Sequence, residues 1–454
     1  MLFQSTRQPP NEPATTTGFA QALLKGLAPD GGLYVPQQWP VHQAAALCER
    51  IALPPEQYLT AAGLARIGAL FLAPVVEGSE LASQLPAICA QAFSFPAPVV
   101  PLDASGRLGV LELFHGPTAA FKDFGARFLA ACVARLRTPG QRALHILVAT
   151  SGDTGGAVAA AFHRLPGVAV SVLFPKGLVS PTQEHQLTCW GDNVRSFRVR
   201  GTFDDCQRMV KAAFMDAQLN QRFELSSANS INLGRLLPQA VYYAAASLKG
   251  WLQHGEPVSF VVPSGNLGNS VAGLWARRLG MPIGEFVLAH NLNRTVPDLL
   301  ASGKFLPRAS IPTLASAMDV GNPSNLERLC ALYPDVDELR ATLSAEVVTD
   351  EQIRARIRSG FAQYGQIWCP HTATAAEAYA RLPAARRQQG RWVLVATAHP
   401  AKFREIVEPL IGRSVTVPAS LARLFELPAK AVEIAADLDA LRQGMQQEMN
   451  QESN

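Results

Sequence analysis

The chain has 454 residues, of which 48% are hydrophobic and 17% charged, so it contains enough apolar material for a large buried core. Its 40 basic and 36 acidic side chains leave a formal net charge of +4, without the basic run typical of nucleic-acid-binding proteins. No apolar stretch is long enough to span a bilayer, and residues 1–11 are too polar for a secretion signal. We therefore expect a cytoplasmic protein of about three domains that binds neither nucleic acid nor membrane.

Residues 1–95 predict a mostly helical N-terminal domain. Helical stretches alternate here with Pro- and Gly-rich breaks, as in the helix predicted at 18–27 and the turn at 28–32. Residues 93–98 are predicted to form a linker, because a residue that precedes proline disfavours the helical conformation.

From residue 96 onward the sequence predicts an α/β protein. Short apolar, β-branched runs alternate with Ala-rich helical stretches, which is typical of a largely parallel sheet covered by helices on both faces. Strands are predicted at 144–149, 168–174, 260–262 and 393–396, and helices at 157–162, 240–248 and 271–279. In such sheets, ligands bind where loops leave the carboxyl ends of the strands.

The segment 112–125 contains a lysine in an unusual setting. Lys122 lies in the first turn of a helix predicted from Phe121, beside its apolar face. The helix dipole disfavours a cation at this end, and burial would shift the amine further toward its neutral form. A neutral amine is what attack on an aldehyde requires. The alternative is a solvated surface lysine, which the flanking phenylalanines and the preceding Gly-Pro-Thr make less attractive.

The strand predicted at 144–149 runs into the small residues Thr150–Gly156 and then into a helix. Free N–H groups at the start of that helix could hold an anion. The loop is neither a G-x-G-x-x-G nor a Walker sequence, and residues 175–176 lack the acidic side chain that would hold a ribose. On its own, the loop is equally compatible with a plain tight turn.

Two further segments suit phosphate groups. Residues 228–235 bring amides, a hydroxyl and Arg235 together, and arginine supplies paired donors to a doubly charged oxyanion. Helix capping would explain Asn232 in this segment, but not Arg235. Residues 260–270 run from strand to helix through two glycines and two asparagines, which could form a cup of backbone donors. The alternative for this second loop is an N-cap turn.

The cysteines and histidines give no signature of a metal or redox site. The seven cysteines include no C-x-x-C pair, and we expect them to be buried, reduced thiols. His115, His371 and His399 share no i, i+4 spacing, so ring packing or hydrogen bonding is favoured over metal ligation.

The run Glu-Leu-Phe-His-Gly-Pro-Thr-Ala-Ala-Phe-Lys-Asp-Phe-Gly at 112–125 resembles the cofactor-lysine segment of threonine synthases. Those are pyridoxal-phosphate (PLP) enzymes of the tryptophan-synthase-β fold, also called fold type II. The likeness covers nearly the whole chain, and the length resembles the longer bacterial and fungal class. It extends in chain order over residues 26–36, 150–155, 229–235, 263–269, 317–322 and 397–403.

The resemblance implies two open-sheet α/β domains with an additional, mostly helical N-terminal domain. We expect the N-terminal domain at 1–95, a large cofactor-binding domain at 96–135 and 235–454, and a small domain at 136–234. The protein would be a monomer or a homodimer.

The resemblance also implies roles for individual residues. Lys122 would bind PLP covalently through its amine and later shuttle protons, and Thr397 would hydrogen-bond the pyridine nitrogen. The cofactor phosphate would be held by Ser264, Gly265, Asn266, Leu267, Gly268 and Asn269. The substrate and the ring would be contacted by Ser151, Asp153 and Thr154, and the substrate phosphate by Asn229 and Arg235.

Three of these positions depart from the pattern of the family. Leu267 and Asn269 replace a common Phe and Asp, although the backbone donors of the loop survive both changes. Asp153 stands where relatives that catalyse simpler eliminations often have asparagine. The sequence therefore leaves open which residue contacts the ring hydroxyl.

The expected activity is the conversion of O-phospho-L-homoserine and water to L-threonine and phosphate. Two separate phosphate-binding segments favour a phosphorylated substrate over serine. The alternative is another fold-type-II PLP lyase, such as a serine or threonine dehydratase. A non-catalytic ligand sensor is disfavoured by Lys122, and a nicotinamide oxidoreductase by the missing dinucleotide fingerprint.

Overall fold

Three β-sheets organise the protein. The structure, a computed structural model, describes residues 1–9, 15–138 and 140–452, and within them the sheets have three, six and five strands. The strands are β1 (Leu2–Ser5), β2 (Thr17–Gly18), β3 (Tyr34–Pro36), β4 (Val99–Pro101), β5 (Leu108–Glu112), β6 (Leu144–Ala149), β7 (Val168–Pro175), β8 (Val194–Arg200), β9 (Glu224–Ser227), β10 (Val258–Pro263), β11 (Ile283–His290), β12 (Leu343–Val347), β13 (Arg391–Ala396) and β14 (Val432–Ala435).

Helices flank all three sheets. The α-helices are α1 (Phe19–Lys25), α2 (Ala44–Ile51), α3 (Ala61–Val76), α4 (Leu85–Ala92), α5 (Lys122–Leu136), α6 (Asp153–Phe162), α7 (Pro181–Thr188), α8 (Phe203–Met215), α9 (Ala217–Arg222), α10 (Leu233–His254), α11 (Gly268–Arg278), α12 (Thr295–Ser302), α13 (Leu326–Leu332), α14 (Val336–Thr342), α15 (Asp350–Tyr364), α16 (Pro370–Arg381), α17 (Ala384–Gln388), α18 (Arg404–Ile411), α19 (Ala419–Phe425) and α20 (Leu438–Glu452). Short 3₁₀ helices occur at Pro55–Gln57, Ala82–Gln84, Ser316–Met318 and Pro400–Phe403.

In the described part of residues 1–95, helices α1 to α4 form most of the regular structure, and the helix predicted at 18–27 is confirmed as α1. It also contains an antiparallel sheet in the order β2-β1-β3, which the sequence prediction lacks. These strands have two to four residues, too few to show the two-residue periodicity that reveals a strand.

The two larger sheets are the open α/β sheets that the sequence predicts. One has the order β12-β11-β10-β13-β5-β4 and is parallel except for the outer β4–β5 pair. The other has the order β14-β8-β7-β6-β9 and is parallel throughout. Strands β6 and β10 are buried at every position because helices cover both faces, which explains their continuous apolar sequences.

The predicted elements of this part are present, mostly with longer ends. Strand β6 matches the prediction at 144–149, whereas the helix predicted at 240–248 is the central part of the 22-residue α10. Helix α10 continues through Pro238, and every residue from Leu233 to Leu248 is buried. Tertiary packing therefore outweighs the local cost of the proline.

The C-terminal end of the chain returns to the five-stranded sheet. Strand β14 pairs in parallel with β8, with Val432 opposite Phe197. Residues 432–435 fall in the range predicted for the large domain, yet they pair with a strand in the range predicted for the small domain. β14 covers the backbone edge of β8, which would otherwise present unpaired N–H and C=O groups. The predicted domain boundaries stay a prediction.

Two expectations from the sequence concern membrane-spanning segments and the burial of the cysteines. Among the described residues, no helix combines the length and the hydrophobicity needed to cross a membrane. All seven cysteines are free, and five are buried, but Cys330 is exposed and Cys48 is half-buried. The expectation of uniformly buried thiols is therefore wrong for these two.

Candidate active site

The carboxyl ends of five strands converge on one cavity. Residues that follow β5, β10 and β13 line it from the six-stranded sheet, and residues that follow β6 and β9 line it from the five-stranded sheet. This is where open α/β sheets bind ligands. The lining residues are Phe121, Lys122, Asp153, Ser230, Arg235, Gln239, Pro263, Ser264, Gly265, Asn266, Leu267, Gly268, Asn269, Ser270, Ala317, Met318, His371 and Thr397.

Lys122 is the first residue of α5 and lines this cavity in a partly buried position. Its Nζ lies 4.6 Å from the centre of the Phe121 ring. Burial, together with the positive charge of nearby Arg235, lowers the pKa of Lys122 from its ordinary value of 10.5 to about 8. The neutral, nucleophilic form of the amine is therefore far more accessible near neutral pH than in an ordinary lysine.

The turn that leads into α5 is fixed by Asp123. Its buried carboxylate accepts hydrogen bonds from the Thr118 backbone N–H at 2.8 Å and from the Thr118 hydroxyl at 2.7 Å. A Cβ at Gly116 would lie 2.4 Å from Asp123 Oδ2, so only glycine fits there. The Gly-Pro-Thr sequence before Lys122 is thus a device that positions the start of the helix.

The loop after β10 brings its backbone close to the cavity. Leu267 adopts the left-handed conformation with φ +61°, and α11 begins at the next residue, Gly268. A Cβ at Gly265 would lie 2.7 Å from Met318 Cα, so the backbones of residues 265 and 318 are in direct contact. The first N–H groups of α11 have no partner within the helix and are available to an anion.

Asn269 has an unsatisfied donor. Its Oδ1 accepts hydrogen bonds from the hydroxyls of Tyr242 and of Tyr243, the latter at 3.1 Å. Its Nδ2 is buried without a hydrogen-bond partner among the described residues. Buried donors in native proteins are normally paired, so this amide fits an anionic group bound in the cavity.

Arg235 is fully buried and also has an unsatisfied donor. One of its terminal nitrogens donates to Ala228 O, whereas Nε has no partner among the described residues. Burial lowers the pKa of Arg235 to about 10, which still leaves the guanidinium charged at neutral pH. A buried, incompletely paired cation of this kind is suited to a phosphate or a carboxylate.

Some of the residues predicted to bind the substrate line the cavity, and others lie outside its lining. Asn229 donates to Ala149 O at 2.7 Å and does not line the cavity. Ser230 lines it instead, and its hydroxyl accepts a hydrogen bond from Asn266 Nδ2 at 2.8 Å. The two segments predicted to bind phosphate groups are therefore in contact in one cavity. Ser151 and Thr154 flank Asp153 at the start of α6, outside the lining residues.

Asp153 forms a buried ion pair that the sequence did not reveal. Lys402 Nζ lies 2.7 Å from Asp153 Oδ1 and donates to Thr118 O at 3.0 Å. Burial raises the pKa of Asp153, but the charge and hydrogen bond of Lys402 outweigh burial and hold that pKa below its ordinary value. In the sequence, the one feature that could have drawn attention to Lys402 is its position between the apolar residues Ala401 and Phe403.

Thr397 and His371 complete the wall of the cavity. Thr397 directly follows β13, and its carbonyl accepts a hydrogen bond from Phe121 N–H at 2.8 Å, which ties it to the residue before Lys122. His371 Nε2 accepts one from Ala317 N–H at 3.1 Å, and burial lowers the pKa of His371 to about 4. This neutral histidine holds the segment that packs on Gly265. Within the described ranges, no group of three or more His, Cys, Asp or Glu side chains could hold a metal ion.

The comparisons with protein families give three matches along the chain. Residues 92–398 match the family described as "Pyridoxal-phosphate dependent enzyme". Residues 2–76 match "Threonine synthase N terminus", and residues 372–445 match "Threonine synthase, C-terminal".

Individual proteins are similar over almost their full lengths. Threonine synthase of Haemophilus influenzae is 38% identical, with 95% of this chain and 97% of that protein covered. The crystal structure of threonine synthase from Escherichia coli superposes with a TM-score of 0.86 at 36% identity, covering 99% of this chain and 100% of the other. The crystal structure of PLP-bound threonine synthase from Brucella melitensis superposes with a TM-score of 0.85 at 32% identity, covering 98% of both.

Proposed function

Because the chain belongs to the threonine synthase family of pyridoxal-phosphate-dependent enzymes, we propose that it converts O-phospho-L-homoserine and water to L-threonine and phosphate. Its cofactor is PLP, which supplies the electron sink for the reaction when it is bound. One observation carries the proposal: a lysine of lowered pKa shares one cavity with a buried arginine and a loop of anion-binding donors.

We assign the covalent attachment and the proton transfers to Lys122. Its Nζ is the one lysine nitrogen among the lining residues of the cavity, and its lowered pKa makes a neutral amine available for both tasks. The same nitrogen would take and return protons at the α and β carbons of the substrate.

We assign the cofactor phosphate to the loop Ser264–Asn269. Its backbone approaches the cavity without side-chain obstruction at Gly265 and Gly268, and α11 starts there. The unsatisfied Asn269 Nδ2 adds a neutral donor, which serves in place of the acid common in the family. Thr397, at the end of β13, would face the ring nitrogen, and its hydroxyl is a weaker partner for that nitrogen than a carboxylate.

We assign the substrate phosphate to Arg235, with the Ser230 hydroxyl beside it. Arg235 brings a charged, unsatisfied donor, as a dianion requires. Asn229 would hold the backbone of this segment in place rather than bind the substrate, because its amide already donates a hydrogen bond to Ala149 O. Ser151 and Thr154 lie outside the cavity lining, so their assignment to the substrate carboxylate rests on the family resemblance, whereas the anionic Asp153 lines the cavity and suits donors such as a ring hydroxyl.

Product analysis with three substrates tests this function. The holoenzyme is incubated separately with O-phospho-L-homoserine, L-serine and L-threonine, and phosphate, threonine and keto acids are measured. We expect phosphate and threonine in equal amounts from the first substrate. Keto acid from serine or threonine, with no phosphate released from phosphohomoserine, would instead identify a dehydratase.

A further inference from the structure

The function described so far gives no role to Lys402 or to its buried ion pair with Asp153. Lys402 is fully buried and Asp153 almost so, and the two lie 2.7 Å apart. Taking two charges out of water costs more free energy than a well-packed apolar pair would, so a buried ion pair is a poor device for stability alone. Its position beside Lys122 points to another purpose.

The pair connects the two α/β units across the cavity. Asp153 begins α6, which follows β6 of the five-stranded sheet, whereas Lys402 lies in the 3₁₀ helix after β13 of the six-stranded sheet. Helix α7 reinforces the connection from the same side as Asp153. Gln183 Nε2 donates to Asp153 Oδ1 at 2.9 Å, and the Ser180 hydroxyl donates to Lys402 O at 2.8 Å.

The pair also leaves one oxygen of Asp153 available. Both Lys402 and Gln183 bind Oδ1, and no hydrogen bond to Oδ2 is found among the described residues. Asp153 lines the cavity together with Lys122, whereas Lys402 stands behind it, outside the lining. Lys402 therefore fixes the orientation of a carboxylate that belongs to the active-site wall.

The ion pair of Lys402 and Asp153 belongs to the set of charges that determines the protonation of Lys122. Arg235 on α10 and Lys402 after β13 disfavour a proton on Lys122, and Asp153 on α6 favours one. His371 on α16 is neutral above about pH 4 and contributes no charge at neutral pH. Without Lys402, the Asp153 carboxylate would act on Lys122 uncompensated.

We propose that Lys402 is a positioning residue, which holds the Asp153 carboxylate at the cavity wall and cancels its charge so that Lys122 works as an unprotonated amine. This inference rests on the proposed role of Lys122. It predicts that removing Lys402 favours a proton on Lys122 because the Asp153 carboxylate is then uncompensated, so the shift relative to the unaltered protein should disappear when the carboxylate is removed as well.

A spectroscopic titration tests this coupling. The visible absorbance of the holoenzyme is followed from about pH 6 to about pH 10 in the variants Lys402→Met, Asp153→Asn, the double variant and the charge-conserving Lys402→Arg. The absorbance of the Lys122-bound cofactor reports the protonation of the Lys122 nitrogen. The double variant keeps the test decisive if Lys402→Met folds poorly, because it leaves no unpaired buried charge.

We expect Lys402→Met to raise the midpoint pH of the absorbance titration by about half a pH unit or more, and Asp153→Asn not to raise it. The double variant and Lys402→Arg should both return within about 0.3 pH units of the unaltered protein. An unchanged midpoint in Lys402→Met would overturn the proposal. An equal rise in both single variants and in the double variant would also overturn it, because structural damage alone does not depend on the sign of the charge that is removed.

Borohydride reduction followed by peptide mapping separates this inference from the proposed function. Cofactor label found away from Lys122 would reject the proposed function itself. Label on Lys122 together with an unshifted midpoint in Lys402→Met would reject only the role of Lys402.

Discussion

The two lysine-bearing segments at the candidate active site, residues 117–123 at the start of α5 and residues 397–403 after β13, use the same side chain in opposite ways. Lys122 lines the cavity and forms no ion pair among the described residues, whereas Lys402 is fully buried against Asp153. Burial without a counterion favours a neutral amine, and a close carboxylate favours a charged one. The acidic partner, rather than the lysine, therefore determines which segment carries the chemistry.

The largest expected effect is the loss of activity in Lys122→Ala. Because Lys402 is held by Asp153 outside the cavity lining, it cannot replace Lys122, and threonine formation should fall by about 1000-fold or more. The visible absorbance of the bound cofactor should disappear as well. Lys304→Ala, at an exposed position outside the cavity lining, is the matched control and should keep full activity. Residual cofactor absorbance with activity above one tenth of normal would contradict the assignment.

The second effect is on stability. Lys402→Met leaves the Asp153 carboxylate buried and unpaired, so the free energy of unfolding should fall by about 3–5 kcal/mol. Adding Asp153→Asn should recover most of that loss, because the buried charge is then removed. Chemical denaturation of the three proteins measures both values. Equal losses in the single and double variants would show that packing, not charge, makes Lys402 different from Lys122.

A smaller effect is expected for Arg235, the other cation beside Lys122. Arg235→Ala should raise KM for phosphohomoserine by about 10- to 100-fold, which corresponds to one charge-assisted hydrogen bond, and should lower kcat less. Steady-state kinetics with inorganic phosphate as a competitive inhibitor measure the change, and Arg235→Lys should show an intermediate loss. Unaltered kinetics would remove Arg235 from the substrate site.

The smallest effect concerns the stability of the cofactor-free chain and its pH dependence. The pKa of Lys122 is about 8 in the folded chain and 10.5 ordinarily, so the unfolded chain binds more protons between these values. Stability should therefore rise as pH increases from about 8 to about 10. Lys122→Met should be more stable than the unaltered chain near pH 7, with the difference shrinking at higher pH. Thermal melts at several pH values measure this, and a lower melting temperature for Lys122→Met would contradict it.

Much of the fold and part of the site followed from the sequence. Apolar runs such as 144–149 are predictable because a strand buried on both faces has no polar positions, and the loop 264–269 is predictable because its glycines admit backbone donors. The antiparallel sheet near the N-terminus and the return of β14 were not predictable. Short or exposed strands are defined by the partner they pair with rather than by their own periodicity.

The roles of neighbouring residues within one segment were harder to predict. Asn229 and Ser230 are adjacent polar residues, yet the amide of Asn229 is bonded to Ala149 O while Ser230 lines the cavity. Asp153 and Lys402 are 249 positions apart and meet only because two sheets face one another. Residue type limits what a side chain can bind, but contact decides what it does bind.

By itself, the sequence determined the α/β class, the placement of Lys122 in the first turn of a helix and the small-residue loops, because each depends on local chain properties: hydrophobic period, helix position and the absence of a Cβ. Only the tertiary structure decided the pairing of Lys402 with Asp153, the contact between the two segments predicted to bind phosphate, and the unsatisfied donors of Arg235 and Asn269. The physical reason is that charge state and hydrogen-bond satisfaction depend on burial and on partners distant in sequence, which no local pattern records.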